Sequence, residues 1–174
     1  MQLHSKALEI KAIVLDVDGV LTDGRIGYGG GSSDEIKFFN VKDGHGINMA
    51  MRAGLQVGIL SGRAAQTNRT RAAELRLDFI YEGMKDKLVG FKLLLKERGL
   101  SGKEILYIGD DLIDLPPMRE SGIAVAVADG VAELDSVADF RTKALGGKGA
   151  VREAIEWLLK EQGKWDSAIS RYMA

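Results

Sequence analysis

The stretch Lys11–Thr22, KAIVLDVDGVLT, is an apolar run that stops at two aspartates, Asp16 and Asp18. An apolar run of this length reads as a strand buried on both faces, which is the habit of strands in parallel sheets. Open parallel sheets bind ligands in the loops beyond the carboxyl ends of their strands, so Asp16 and Asp18 are placed to face a site. Two carboxylates ~4 Å apart repel by about 4 kcal/mol at an effective dielectric of 20, unless a cation or hydrogen-bond donors offset the charge. A hard divalent cation such as Mg²⁺ suits two carboxylates. Taken alone, Asp18-Gly19 also suits a simple turn, so the segment leaves both readings open.

The rest of the composition narrows the class. A chain of 174 residues fits one domain around one core. Its 24 basic and 25 acidic side chains leave a formal charge of −1, which gives no footprint for nucleic acid or for an anionic membrane surface. A small molecule is the expected partner. The absence of cysteine removes disulfides, thiolate metal sites and a cysteine nucleophile, and agrees with a reducing, cytoplasmic address. The amino-terminal MQLHSKALEIK lacks the apolar core of a signal peptide, and no apolar run approaches the ~20 residues that span a bilayer.

Short apolar runs recur at Ala12–Leu15, Leu55–Leu60, Asp78–Tyr81, Glu104–Ile108 and Ile123–Val127, separated mostly by helix-length segments. Strands alternating with helices imply an α/β fold with a central parallel sheet. Gly54, Gly99 and Gly122 are expected just past helix ends. A sixth strand is expected at Phe140–Thr142, then a helix over Ala150–Gln162 with Ile155, Leu158 and Leu159 on one face. The C-terminal tail, about 163–174, has no clear partner. Residues 25–40 break the alternation with Ile26 and Tyr28, a Gly29-Gly30-Gly31-Ser32-Ser33 tip, then Ile36, Phe38 and Phe39, the pattern of an inserted β-hairpin. An isolated hairpin is only marginally stable, so packing of this one against other subunits is expected.

Further polar residues fall where strands end. Ser61-Gly62-Arg63 follows the second strand, and a hydroxyl with loop amides suits phosphate, although Ser61 alone also suits a helix N-cap. Lys87 lies early in a helical segment, where a lone lysine is ordinarily solvated. The fourth strand ends in Gly109-Asp110-Asp111, with Asp114 close behind and suited to capping the next helix. Acidic groups at two strand ends, with a serine and a lysine between them in sequence, favour a metal-plus-phosphate site over unrelated caps.

In order and spacing, DVDGVLT, the Ser61 of ILSGR, Lys87 and GDDLID resemble the four motifs of the haloacid dehalogenase superfamily of phosphatases. FFNVKDGHGI (Phe38–Ile47), IGDDLIDLP (Ile108–Pro116), AVAVADG (Ala124–Gly130) and GGKGAVRE (Gly146–Glu153) resemble one branch, the 3-deoxy-D-manno-octulosonate 8-phosphate phosphatases. The resemblance runs from about Ile10 to Gly163. It implies a three-layer Rossmann-like fold without a large cap domain, and hydrolysis of a phosphorylated acid sugar in lipopolysaccharide synthesis through an aspartyl-phosphate. Asp16 would be the nucleophile, and Asp18 the acid that protonates the leaving sugar oxygen and then activates water. Mg²⁺ would be held by Asp16, the backbone carbonyl of Asp18 and Asp110. Ser61 and Lys87 would hold the phosphoryl oxygens, with Asp111 and Asp114 behind them orienting Lys87 or the metal's waters.

The same resemblance implies a homotetramer in which inserted hairpins meet and a neighbouring subunit helps close the site. Lys148 or Arg152, in or after the Gly146–Gly149 loop, would meet the sugar carboxylate, with ordinary surface charge the alternative for either. Arg63 follows Ser61-Gly62 directly, and an arginine suits a carboxylate by bidentate pairing. A related branch that acts on nine-carbon (nonulosonate) 9-phosphates carries glutamate there, so Arg63 points to the eight-carbon acid. A signalling receiver domain, which also gathers aspartates, a hydroxyl, a lysine and Mg²⁺, is disfavoured by the order in which they occur along the chain. His4 and His45 are expected to be structural or incidental, with His45, between Gly44 and Gly46 near the site, left open as a ligand, and Trp157 and Trp165 are expected to pack.

Overall fold

Strand β1 (Ala12–Leu15) is buried along its whole length, and alternate side chains feed two separate cores. Ile13 and Leu15 join Ile47 and Met49 of helix α2 (Val41–Arg52) and Val151, Ile155 and Leu158 of α6 (Ala150–Glu161). Ala12 and Val14 join Phe91 and Leu94 of α4 (Lys87–Arg98) and Met118 of α5 (Leu115–Glu120). A strand apolar at every position therefore specifies a sheet covered on both sides, the three-layer arrangement. The computed structural model describes residues 3–29 and 35–173.

The remaining strands are β4 (Gln56–Leu60), β5 (Phe79–Tyr81), β6 (Ile105–Gly109), β7 (Ile123–Ala126) and β8 (Phe140–Arg141), with α3 (Gln66–Leu75) between β4 and β5. The sheet order is β5-β4-β1-β6-β7-β8 and every pairing in it is parallel. β1 pairs with β4 on one side and β6 on the other, Ala12 opposite Gln56 and Ile105. The chain builds outward from β1 in one direction and then in the other, so the carboxyl end of β1 lies at a topological switch point, where a crevice opens.

Local chemistry sets the helix boundaries. Asn40 caps α2 by accepting from the Lys42 amide, and Asp86 caps α4 by accepting from Leu88 and Val89. Gly99 ends α4 in the left-handed region, and Gly54 follows the end of α2 there, as expected of both. Gly122 is different: α5 ends at an extended Ser121, and glycine is needed because a Cβ at 122 would collide with the Lys103 carbonyl. The expected strands are all present, with ends displaced by a residue at most, and Gln162 follows α6 instead of closing it. The Gln162 side chain donates to the carbonyls of Ala7 and Ile10, pinning α1 (Leu3–Glu9), a helix too short to show a period in the sequence. The tail forms α7 (Trp165–Ser170), and Trp165 lies against Arg152 and Lys160.

The insertion pairs β2 (Gly27–Tyr28) with β3 (Glu35–Ile36) in an antiparallel ribbon, Tyr28 opposite Glu35. Of the expected tip, Gly29–Ser33, residues 30–33 lie outside the described residues, as does residue 34. Tyr28, Ile36, Phe38 and Val41 are exposed, Tyr28 by 75% and Phe38 by 70%. No helix among the described residues is long and apolar enough to cross a membrane.

Candidate active site

β1, β4 and β6 deliver their terminal residues to one cleft of about 140 Å³, lined by Asp16, Asp18, Ser61, Gly62, Arg63, Asp110, Asp111 and Ile113. Asp16 is buried, and its amide donates to the Ile108 carbonyl as if β1 continued one residue further. Gly19 turns the chain back with a φ of 95°, and a Cβ there would collide with Asp110 Oδ2. Glycine is required for the loop after β1 to approach the end of β6.

Lys87 is the first residue of α4, yet its side chain is wholly buried, against the usual behaviour of lysine. Its Nζ lies 2.9 Å from Asp16 Oδ1 and 2.6 Å from Asp114 Oδ1. Asp114 also accepts from Tyr107 Oη at 2.7 Å and from the amides of Asp110 and Asp111 at 3.0 and 3.3 Å. It therefore holds Lys87 and shapes the turn carrying Asp110, and its side chain does not cap α5. Asp111 caps the short turn at Leu112–Asp114 through the Leu112 amide and does not meet Lys87. Ser61 is no helix cap either: α3 begins at Gln66, and Ser61 Oγ accepts from the Arg63 amide at 3.2 Å.

Burial, then the charge of Asp114, pushes Asp16 up to about 6 against the pull of Lys87. Asp110 is pushed up to about 8, by burial first and then by Asp16 and Asp114. Burial alone would lower Lys87; the Asp16 and Asp114 carboxylates outweigh it and raise it. The cluster is thus short of positive charge when its carboxylates are ionised. Asp16, Asp110 and Asp114 can bring one oxygen each within 4.8 Å of the others. Both Asp114 oxygens are already engaged, whereas Asp110 Oδ1 is buried with no hydrogen-bond partner, so Asp16 and Asp110 are the donors left for a cation. Hard carboxylate oxygens of this kind fit Mg²⁺.

Carboxylates raised on folding stabilise below their ordinary value near 4 and lose that contribution as pH climbs through their folded values. In chelator, the urea midpoint should fall between pH 5 and pH 8.5, and millimolar Mg²⁺ should reverse most of the fall; a flat profile in chelator would contradict the charge deficit.

At the mouth, Arg63 is half-exposed, paired with Glu35, and its Nε lies 3.9 Å from Asp18 Oδ2. Lys37, Glu35, Asn68 and Tyr107 surround the site without having been singled out in the sequence. Lys148 is exposed, 3.9 Å from Asp23, and Arg152 is paired with Glu156 and stacked on Trp165, so neither lines the cleft. The Gly146–Gly149 loop instead braces the turn after β1: the Gly147 amide donates to Val20, and a Cβ on Gly146 would collide with the Gly19 carbonyl.

Residues 65–155 match the haloacid dehalogenase-like hydrolase family. The chain is 44% identical to the 3-deoxy-D-manno-octulosonate 8-phosphate phosphatase of Escherichia coli (strain K12) over 164 residues, 94% of this chain and 87% of that protein. It is similar, at a TM-score of 0.93 and 38% identity over 97% of each chain, to the Moraxella catarrhalis phosphatase of that name in complex with magnesium, phosphate and the sugar. The cobalt-bound form of the Haemophilus influenzae enzyme superposes with a TM-score of 0.87 at 40% identity, over 92% of this chain and 93% of that one.

Proposed function

The chain belongs to the 3-deoxy-D-manno-octulosonate 8-phosphate phosphatase family of haloacid dehalogenase-like hydrolases, and from that premise we propose that it hydrolyses that sugar phosphate in a Mg²⁺-dependent reaction. The observation that carries the reading is the buried Asp16, paired with Lys87 and facing a cleft that also receives Asp18, Ser61 and Asp110, whose Oδ1 has no hydrogen-bond partner.

Mg²⁺, held by Asp16, the Asp18 carbonyl and Asp110, supplies positive charge that lets a carboxylate and a phosphate dianion meet. Asp16 attacks phosphorus, the bond to the sugar oxygen breaks, and its electron pair leaves on that oxygen, which takes the proton of Asp18. Asp18, now a carboxylate, takes a proton from water as the water attacks the aspartyl-phosphate, regenerating Asp16 and releasing phosphate. Ser61 and Lys87 bind the non-bridging oxygens, where charge must be stabilised in the transition state. Asp114 holds Lys87 in place, and Asp111 caps the turn that leads to Asp114.

Arg63 is placed at the mouth to exchange Glu35 for the sugar carboxylate. At equal concentrations with Mg²⁺, the octulosonate 8-phosphate should be turned over in preference to a nonulosonate 9-phosphate; the reverse preference would move the assignment to the nine-carbon branch. Arg63→Glu should lower kcat/KM for the eight-carbon substrate about 10- to 100-fold, the worth of one charged hydrogen-bonding partner. An unchanged value would remove Arg63 from substrate selection.

We read residues 1–174 as one catalytic domain with an insertion at about 25–40 and a tail at about 163–174, acting in the cytoplasm in lipopolysaccharide sugar synthesis. The exposed Tyr28, Ile36 and Phe38 support a homotetramer joined through the insertion. A monomer in light scattering at micromolar concentration would contradict that assembly.

A further inference from the structure

Lys37 follows β3 at the exit of the inserted ribbon, and its side chain is wholly buried. Its Nζ lies 2.7 Å from Asp18 Oδ1, 3.0 Å from Asn68 Oδ1 and 3.8 Å from Glu35 Oε2. Asn68, itself buried on α3, turns its amide nitrogen to the Arg63 carbonyl at 3.3 Å. One ammonium thus joins the loop after β1, the base of the insertion and α3. Burying a lysine is costly unless it is paired, and its close charged partner here is the carboxylate two positions after Asp16.

We propose that Lys37 is the positioning residue for Asp18, holding its carboxylate in line with the leaving sugar oxygen throughout turnover. The inference rests on the acid–base role given to Asp18 above. The other cation near Asp18 is Arg63, farther away, half-exposed, and drawn to the substrate in that account. Lys37 is wholly buried and held between Asp18 and Asn68, so it stays. When Asp18 gives up its proton to the sugar oxygen, the fixed ammonium holds the carboxylate that remains and offsets its new charge. The ribbon therefore contributes a residue to the chemistry, independently of any contact it makes with another subunit.

The consequence depends on the leaving group. A sugar alkoxide needs a well-aimed acid, whereas p-nitrophenolate leaves as a stable anion without one. The ratio kcat/KM covers events up to the first irreversible step, departure of the alcohol, and excludes hydrolysis of the aspartyl-phosphate. Lys37→Met should lower kcat/KM for the sugar phosphate by about 10²- to 10³-fold, the lower part of the range of general-acid catalysis because the acid itself remains, and that for p-nitrophenyl phosphate by far less. Lys37→Arg should restore part of the loss. Equal losses on the two substrates, or none, would overturn the assignment. If Lys37→Met does not fold, Asn68→Asp, which keeps the oxygen that braces Lys37 but gives up the amide donor to the Arg63 carbonyl, and Asn68→Ala, which gives up both, separate the two contacts: Asn68→Ala alone should show the selective loss, on a smaller scale, and equal losses on the two substrates there would overturn the assignment as well. Failure of the wild-type chain to hydrolyse the sugar phosphate with Mg²⁺ would instead contradict the proposed function.

Discussion

Asp16→Asn should release phosphate from the sugar phosphate on the order of 10⁴-fold more slowly than the wild-type chain, or less than that, because an amide oxygen is a poor nucleophile toward phosphorus. The variant should nevertheless fold. Asp16 sits where burial and Asp114 already disfavour its ionised form, so a neutral isostere removes a repelling charge from the metal-free cluster. The metal-free melting temperature should therefore hold or rise while turnover disappears, and the gain from added Mg²⁺ should shrink. Turnover within tenfold of wild type would overturn Asp16 as the nucleophile.

Lys87→Met should have the largest effect on stability. The substitution keeps the length of the side chain and removes the charge that lies within 3 Å of both Asp16 and Asp114. Breaking a buried pair from one side typically costs about 3–5 kcal/mol, since the abandoned charge stays buried. In chelator at pH 8 the urea midpoint should drop accordingly. The drop should be smaller at pH 5, where protons neutralise the carboxylates that have lost their cation. Adding Asp114→Asn should recover part of the loss by removing one stranded charge, which a double-mutant cycle measures directly. A cost below 1 kcal/mol at pH 8 would mean that the ion pairs do not hold the site together.

Most of this site was legible because its residues end buried strands. β1 and β6 are buried along their whole length and β4 is buried from Val57 onward, so the abrupt change at Asp16, Ser61 and Asp110 marks both the sheet and its edge. Lys87 and Asp114 carried no such signal. Each has a more common use, solvated surface or helix cap, and only the fold brings them together over 27 positions of sequence. Lys37 was hidden differently. In Ile36-Lys37-Phe38 the apolar side chains face out and the lysine faces in, the reverse of an ordinary surface strand. That inverted alternation marks an insertion with an anion on its inner side. Gly122 misled because a glycine after a helix usually caps it, whereas here a crossing carbonyl excludes any side chain.

The central claim is that the carboxylates ending β1 and β6 work with Mg²⁺ to release phosphate from a sugar acid phosphate. The most direct test is phosphate release from 3-deoxy-D-manno-octulosonate 8-phosphate by the wild-type chain, in excess Mg²⁺ and again in excess chelator. Steady multiple turnover with Mg²⁺, abolished by chelator and restored when Mg²⁺ is added back, is the expected result. Release at the same rate in chelator, or no release with Mg²⁺, would contradict the account.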